Sequence, residues 1–230
     1  MAEDAIIPGD GPAAGASADA IGVADAARAA RLQAAAKREL RNSLRAARRA
    51  LPAAGRMQAA EAIVAPLLAF PELHAPGYVA GYWAMDGEVP LHVLQMRLPA
   101  HSRWCLPCIQ ADGSLRFAPW RPGDPLVSNR FGIPEPDLEP ASQLDAADVA
   151  LILLPLVGFD RAGRRLGMGG GFYDRTLAFR AARPAPPRLV GVAYGLQETD
   201  ALPADAWDVP LDAIVTEQGC IDVAEGGNSE

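Results

Sequence analysis

The amino-acid sequence predicts a layered α/β fold. Short apolar segments alternate with segments whose apolar residues recur every three or four positions, which is typical of strands that alternate with amphipathic helices. The most apolar segment, residues 149–156, comes shortly before a glycine-rich stretch at residues 167–171. Ligands of such folds bind beyond the carboxyl ends of the strands, so this stretch is the first candidate for a functional site.

The first helix is expected over residues 28–51. Its apolar residues recur at spacings of four, three and four and mark one helical face, made of Leu40, Leu44, Ala47 and Leu51. A neighbouring face is basic. We expect three of its members to be exposed to solvent, namely Arg45, Arg48 and Arg49.

The remaining elements follow in alternation. Further helices are expected at residues 54–69, 88–98 and 173–182, and strands at 78–83, 103–109, 115–120, 149–156, 189–194 and 213–216. The segment 111–114 has the composition of a hairpin turn between two strands. Residues 119–140 are rich in Pro, Gly and Asp and are expected to form a long loop, which in a compact domain is often functional.

The predicted organisation is one domain with two tails. Residues 1–27 consist mainly of Ala, Gly, Asp and Pro without periodicity and are expected to be a disordered extension. Residues 28–222 are expected to form a single α/β domain, and residues 223–230 a disordered tail.

Composition narrows the class of protein. The net charge of −7 argues against a general nucleic-acid binder. No apolar run approaches the ~20 residues that span a bilayer, and the acidic first residues do not resemble a secretory signal. We therefore expect a cytoplasmic protein that acts on small molecules, as a monomer and without a membrane partner.

The glycine-rich stretch indicates phosphate binding. Its glycines leave backbone N–H groups accessible, two arginines precede it and one carboxylate follows, and these groups suit a polyphosphate with its metal ion. The stretch fits neither the Walker A pattern nor a clean Gly-x-Gly-x-x-Gly fingerprint, so it does not indicate an enzyme class by itself. The residues are Arg164, Arg165, Gly167, Gly169, Gly170, Gly171 and Asp174.

The chain has 21 Lys and Arg residues, of which only Lys37 is a lysine. A site that needs a compact ammonium group does not simply accept the planar guanidinium of arginine, although chance explains a single lysine equally well. Lys37 and Arg41 are four residues apart in the predicted helix, so both can reach the same ligand.

Several other groups of polar residues leave alternatives open. Cys105 and Cys108 have the spacing of a redox pair, but they lie within a predicted strand. Two buried thiols are therefore the preferred interpretation, and a redox pair or a zinc site with His101 and Cys220 is the alternative. Asp86 and Glu88 follow a strand and precede a helix, where a carboxylate could serve the helix terminus or point into a cleft. A magnesium site could combine Asp174 with one of three later acids, for which a surface turn is the alternative: Asp205, Asp208 and Asp212.

Six segments together resemble the 5-formyltetrahydrofolate cyclo-ligase family. They are residues 37–41, 86–88, 129–136, 155–160, 164–175 and 208–212, in the order of the family, within residues 30–220. The resemblance implies one α/β domain, three-layered with a mostly parallel sheet, of the kind shared with ribose-5-phosphate isomerase and CoA-transferases. It also implies that ATP and Mg²⁺ are used to convert 5-formyltetrahydrofolate to 5,10-methenyltetrahydrofolate, with release of ADP and phosphate, through phosphorylation of the formyl oxygen.

The resemblance also implies roles for individual residues. ATP binding is implied for Lys37, Arg41, Arg165, Leu166, Gly167, Met168, Gly169, Gly170, Gly171, Phe172 and Tyr173, and a part in catalysis for Arg165, Lys37 and Tyr173. Magnesium binding is implied for Asp174 and Asp208. Folate contacts are implied for Trp83, Glu88, Phe131, Met168 and Phe172, with Glu88 holding the pterin.

The chain departs from the family pattern in the loop, where Met168 and Gly170 stand at positions that are basic in some members. We therefore expect phosphate charge to be neutralised by Arg164, Arg165, Lys37 and Arg41. Three alternatives remain at this point: a folate- or nucleotide-binding regulatory protein without turnover, an ATP-dependent relative that acts on another formamide-containing substrate, and an RNA-associated role of residues 28–56.

Overall fold

A computed structural model describes residues 15–205 and 207–223, with only the backbone described for residues 15–26. The chain divides into two units, Met1–Glu39 and Leu40–Glu230. The described part of the first unit belongs to helix α1 (Gly15–Ala50), which continues into the second unit. Residues 15–27 lie within this helix, and alanine, the strongest helix former, is their commonest residue. The expectation of a disordered extension over residues 1–27 stays a prediction. The predicted disorder of residues 1–14 and 224–230 lies outside the described residues.

Among the described residues, seven strands form one sheet in the second unit. Its order is β11-β10-β9-β6-β1-β2-β3, and the five inner strands are parallel while β3 and β11 pair antiparallel at the two edges. This confirms the predicted α/β class with a mostly parallel sheet, although the edge strand β11 was not predicted. The strands are β1 (Gly77–Ala80), β2 (Ser102–Ile109), β3 (Leu115–Pro119), β6 (Leu151–Pro155), β9 (Arg188–Val192), β10 (Ala213–Thr216) and β11 (Gly219–Asp222); the shorter strands β4, β5, β7 and β8 lie outside this sheet.

Helices cover both faces of the sheet. Helices α2 (Ala53–Ala62), α3 (Val64–Leu68) and α4 (His92–Arg97) pack on one face, and α5 (Phe172–Leu177) packs on the other. Successive residues of β6 point to opposite faces, so Leu151 and Leu153 enter the first core while Ile152 and Leu154 enter the second. A central strand buried on both faces is apolar throughout, which is why residues 149–156 form the most apolar segment of the chain.

The expected helix at residues 54–69 is interrupted. Proline lacks an N–H group and clashes with the carbonyl four residues earlier, so Pro66 is incompatible with a regular helix through Ala62. Helix α2 ends at Ala62, and α3 begins at Val64.

The expected loop at residues 119–140 contains a two-stranded ribbon. Strands β4 (Leu126–Ser128) and β5 (Pro134–Pro136) pair antiparallel. The turn between them is held by Asn129, whose Oδ1 accepts the N–H groups of Phe131 at 2.9 Å and Ile133 at 3.1 Å.

A small hairpin, also absent from the prediction, separates the apolar strand β6 from the glycine-rich stretch. Strands β7 (Gly158–Phe159) and β8 (Arg165–Leu166) pair antiparallel. The carboxylate of Asp160, fully buried, holds their turn by accepting hydrogen bonds from the backbone N–H of Ala162 and Arg164 and from the Arg164 Nε at 2.6 Å. Leu166 packs against Leu44 of α1, so this hairpin also anchors the helix.

The two cysteines at redox spacing are buried in β2. Burial raises the pKa of Cys105 and of Cys108 to about 12, which makes both thiols poor nucleophiles and confirms the preferred interpretation.

No cluster of three or more His, Cys, Asp or Glu side chains suited to a metal occurs within residues 15–205 and 207–223. In the same residues, no helix is both long and apolar enough to span a membrane.

Candidate active site

The candidate site lies where the carboxyl ends of three neighbouring parallel strands meet. A turn that contains Asp86 and Glu88 follows β1, the β7–β8 hairpin follows β6, and Tyr194 follows β9. This is the edge at which α/β sheets bind ligands, as the sequence analysis expects.

The glycine-rich stretch forms a loop between β8 and α5. Gly171 has φ +67°, a left-handed conformation that favours glycine. Arg175 fixes the loop from outside, since its Nη2 donates to the carbonyl oxygen of Gly170 at 2.6 Å and its Nε donates to that of Gly113 at 3.0 Å. The loop is therefore tied to the turn of the β2–β3 hairpin, a contact that the sequence analysis missed.

Helix α1 meets this loop through Arg41. The Nε of Arg41 donates to the carbonyl oxygen of Gly167 at 2.8 Å, although 126 positions separate the two residues. A Cβ atom at Gly169 would lie 3.6 Å from the Cζ of Arg41, so the loop backbone runs close to the guanidinium group. Lys37 lies one turn earlier in the helix, in the first unit, and its role at the loop stays a prediction.

The two predicted magnesium carboxylates both lie near Arg165. The guanidinium of Arg165 pairs with Asp174 Oδ1 and donates to the carbonyl oxygen of Val209. Burial lowers the pKa of Arg165, while the carboxylates of Asp174 and Asp208 favour its charged form. The structure thus brings Asp208 near a cation and an acid that precede it by more than thirty positions.

Arg164 does not contribute to this group. Its Nε pairs with the carboxylate of Asp160, and the expectation that Arg164 neutralises phosphate stays a prediction. Asp212 is committed elsewhere as well, because both of its oxygens accept from Arg180 Nη2 at 2.6 Å. Asp208, whose charge acts on Arg165, stays the proposed partner of Asp174.

Glu88 lies in a cleft rather than at a helix terminus. Helix α4 begins at His92, and Glu88 helps to line a cleft of about 410 Å³ together with Arg49, Arg56, Ala84, Asp86, Gly87 and Pro90. Its Oε2 accepts the N–H of Met85 at 3.0 Å, and its side chain is only 12% exposed. Burial raises the pKa of Glu88, and the Met85 N–H and the charge of Arg48 oppose that rise.

The basic face of α1 pairs with Asp86, and the expectation of a solvent-exposed face is wrong for Arg48 and confirmed for Arg49, while Arg45 is half-buried. Arg45, Arg48 and Arg49 all pair with the carboxylate of Asp86, and Arg48 is 1% exposed. Ala47, assigned to the apolar face, is exposed instead. The spacing of four from Leu44 to Arg48 is a sequence signal that could have identified the buried position.

Two of the predicted folate contacts meet at the start of α5. The rings of Phe131 and Phe172 pack edge to face, with centroids 5.8 Å apart. Trp83 packs against Trp120 at 5.9 Å, and Met168 is exposed on the loop. Leu166 is buried in the core, so only its backbone is available to a nucleotide.

Comparison with known proteins identifies the family. A model described as the 5-formyltetrahydrofolate cyclo-ligase family matches residues 33–217. The chain belongs to this family of enzymes. The relatives include the 5-formyltetrahydrofolate cyclo-ligase of Escherichia coli K12, 36% identical over 75% of the chain and 96% of the relative, and that of Haemophilus influenzae, 35% identical over 76% and 94%.

Solved structures agree with the cyclo-ligase family assignment. The 5,10-methenyltetrahydrofolate synthetase of Aquifex aeolicus is 33% identical and superimposes with a TM-score of 0.71 over 84% of this chain and 96% of that one. The corresponding synthetase of Mycoplasma pneumoniae is 26% identical, with a TM-score of 0.62 over 79% and 98%.

Proposed function

We propose that this cyclo-ligase family member converts 5-formyltetrahydrofolate to 5,10-methenyltetrahydrofolate with consumption of ATP. The formyl oxygen attacks the γ-phosphate, ADP leaves, and the resulting imidoyl phosphate loses phosphate as nitrogen 10 closes the ring. An amide oxygen is a poor leaving group until it is phosphorylated, so the phosphoryl transfer makes ring closure possible. The protein then contributes mainly by positioning the reactants and neutralising charge.

The observation that carries this proposal is the contact between Arg41 and Gly167. It joins the helix that bears Lys37 to a glycine loop, and this combination supports an ATP site assembled from two distant segments. In the proposed site, Lys37, Arg165 and Tyr173 contact the reacting phosphates. The hydroxyl of Tyr173 stays protonated, because burial and the nearby charge of Glu88 raise its pKa.

Asp174 and Asp208 fit a magnesium ion. Magnesium takes one or two protein carboxylates and completes its shell with water and phosphate oxygens, and both carboxylates here lie near Arg165. When bound, the ion would neutralise charge on the phosphates. Without the ion, Arg165 holds the carboxylate of Asp174 in place.

The folate side of the proposed site centres on Glu88. A carboxylate can accept two N–H bonds from a pterin ring, and Glu88 lies in a cleft large enough to admit one. Phe131 and Phe172 offer aromatic surface next to the glycine loop, and Trp83 and Met168 complete the proposed contacts. This arrangement supports a folate site and a nucleotide site on the same edge of the sheet. We expect the enzyme to act in the cytoplasm as a monomer.

A spectrophotometric assay tests the proposal. Purified, folded protein should generate the methenyl chromophore from 5-formyltetrahydrofolate only when ATP and Mg²⁺ are both present. No absorbance change would contradict the proposal, and tight binding of ATP or folate without ADP release would favour a regulatory protein. The RNA-associated alternative stays open, because Asp86 offsets only one of the three positive charges that pair with it, and absent or salt-insensitive RNA binding would remove it.

A further inference from the structure

Arg48 is the centre of a buried polar network to which the proposed reaction assigns no role. Its Nε donates to the carbonyl oxygen of Asp86 at 3.1 Å, its Nη2 to the Asp86 carboxylate at 2.9 Å, and its Nη1 to the carbonyl oxygen of Leu156 at 3.0 Å. The same Nη1 lies 3.9 Å from Glu88 Oε1. One side chain therefore joins α1, the turn that carries Glu88 and the end of β6.

This arrangement is specific to a planar, forked cation. Burying a charge is costly unless hydrogen bonds satisfy it, and apolar packing at the same place often stabilises a protein as well or better. Asp86, the counterion, has φ +53°, a conformation that is uncommon for residues other than glycine. The turn is thus held in an unfavourable backbone conformation by its contacts with arginine.

The network continues toward the glycine loop. The carbonyl oxygen of Leu156 also accepts from Gln197 Nε2 at 2.6 Å, and the same nitrogen donates to the carbonyl of Val157 at 2.9 Å. The N–H of Val157 donates to the carbonyl of Leu166 at 2.8 Å, immediately before the loop. Together with the backbone of Val157, these hydrogen bonds connect the turn of Glu88 with the hairpin that precedes the glycine loop.

We propose that Arg48 is a positioning residue, which holds Glu88 in register with the glycine loop, and that Asp86 in turn holds Arg48. The inference rests on the proposed function, because it assigns Arg48 a part in the binding of the folate that Glu88 would contact. Arg48 itself does not contact the reacting atoms in this proposal.

The charge of Arg48 adds a pH-dependent consequence. Burial raises the pKa of Glu88 and Arg48 opposes this, so removal of the positive charge raises the pKa further. As the pH falls, Glu88 of the variant would then become protonated at a higher pH than in the wild type. The protonated acid could no longer accept two N–H bonds. The other titratable or charged groups around Glu88 are Arg45, Asp86, Tyr82, Tyr173, Tyr194 and, across the cleft, Arg49 and Arg56.

The test compares Arg48→Met and Arg48→Lys with Arg45→Met, which removes an arginine that pairs with the same Asp86 carboxylate but does not bond to Leu156. Arg48→Met should raise the KM for 5-formyltetrahydrofolate about ten- to hundredfold, as expected for lost hydrogen bonds of a charged group, with the KM for ATP unchanged. The acidic limb of the pH profile for folate binding should move to higher pH. Arg48→Lys should restore the pH limb but not the KM, because an ammonium group keeps the charge and loses the fork.

Equal increases in both KM values with an unmoved pH limb would show a structural role only and overturn the inference. So would an Arg45→Met variant that matches Arg48→Met in every readout. If circular dichroism shows that Arg48→Met does not fold, Arg48→Lys decides instead. The inference then requires that its KM for 5-formyltetrahydrofolate rises while its KM for ATP does not, and equal increases would overturn it. Calorimetric titration with 5-formyltetrahydrofolate separates the two proposals, since a wild type that binds folate without turnover refutes the proposed function and still allows the variants to be ranked.

Discussion

The contact between Arg41 and the glycine loop makes a quantitative prediction. Arg41→Met keeps the length and apolar stem of the side chain and removes the hydrogen bond of 2.8 Å to the carbonyl oxygen of Gly167. A hydrogen bond from a charged donor contributes about 1.5–3 kcal/mol, and Arg41 is only half-buried, so the lower figure applies. We expect the free energy of unfolding to fall by about that amount and the KM for ATP to rise, because the proposed nucleotide site loses both a cation and the contact that holds its loop.

The assay is methenyl formation at saturating folate with ATP varied, together with urea unfolding followed by circular dichroism. Arg45→Met is the matched control, because Arg45 lies one helical turn later and pairs with Asp86 instead of the loop. A KM for ATP that stays at the wild-type value in Arg41→Met, or one that rises equally in Arg45→Met, would refute the assignment of Arg41 to the nucleotide site.

Three further predictions concern single residues. Lys37→Ala should raise the KM for ATP without loss of stability, which the same kinetics and urea unfolding would show, and unchanged ATP kinetics would remove Lys37 from the site. Asp174→Asn should weaken the dependence of turnover on Mg²⁺, measured by magnesium titration at fixed ATP, and full activity at low magnesium would refute the metal assignment. Gly81→Ala should lower the free energy of unfolding by about 1–3 kcal/mol or more, because its Cβ would lie 2.0 Å from the buried ring of Trp104. Gly55→Ala in helix α2, where the atom nearest to the new Cβ would be 3.6 Å away, should instead raise the free energy of unfolding by roughly 0.5–1 kcal/mol. Urea unfolding measures both variants, and a change of the same sign in the two would contradict this reasoning.

The sequence predicts the central strands and the glycine loop because their signals are local. The apolar run of β6 follows from burial on both faces, and the loop follows from the density of glycine itself. The ribbon of β4 and β5 has no such signal. Its strands have three residues each, and prolines at 134 and 136 argue against a strand in any sequence-based analysis.

Arg48 was assigned to solvent for a different reason. Its position follows Leu40 and Leu44 at spacings of four, so the pattern alone indicates the buried face, but its charge argues for exposure. The charge is accommodated by Asp86, 38 positions later, and by the carbonyl of Leu156, 108 positions away. Hydropathy patterns register the residue and not its partners, so buried ion pairs formed across the fold are missed systematically.

The distribution of arginine charges determines how the proposed ATP site must work. Four cations were expected to neutralise phosphate, but Arg164 is bound by Asp160 and Arg165 by Asp174. Arg41 bonds to a backbone carbonyl, and among the described residues it forms no ion pair. Magnesium bound by Asp174 would compete with Arg165 for the same carboxylate, and the guanidinium released from that pair would then be available to the phosphates. In the proposed site the chain would then need no basic side chain at Met168 or Gly170, because metal binding itself would supply the cation that the loop lacks.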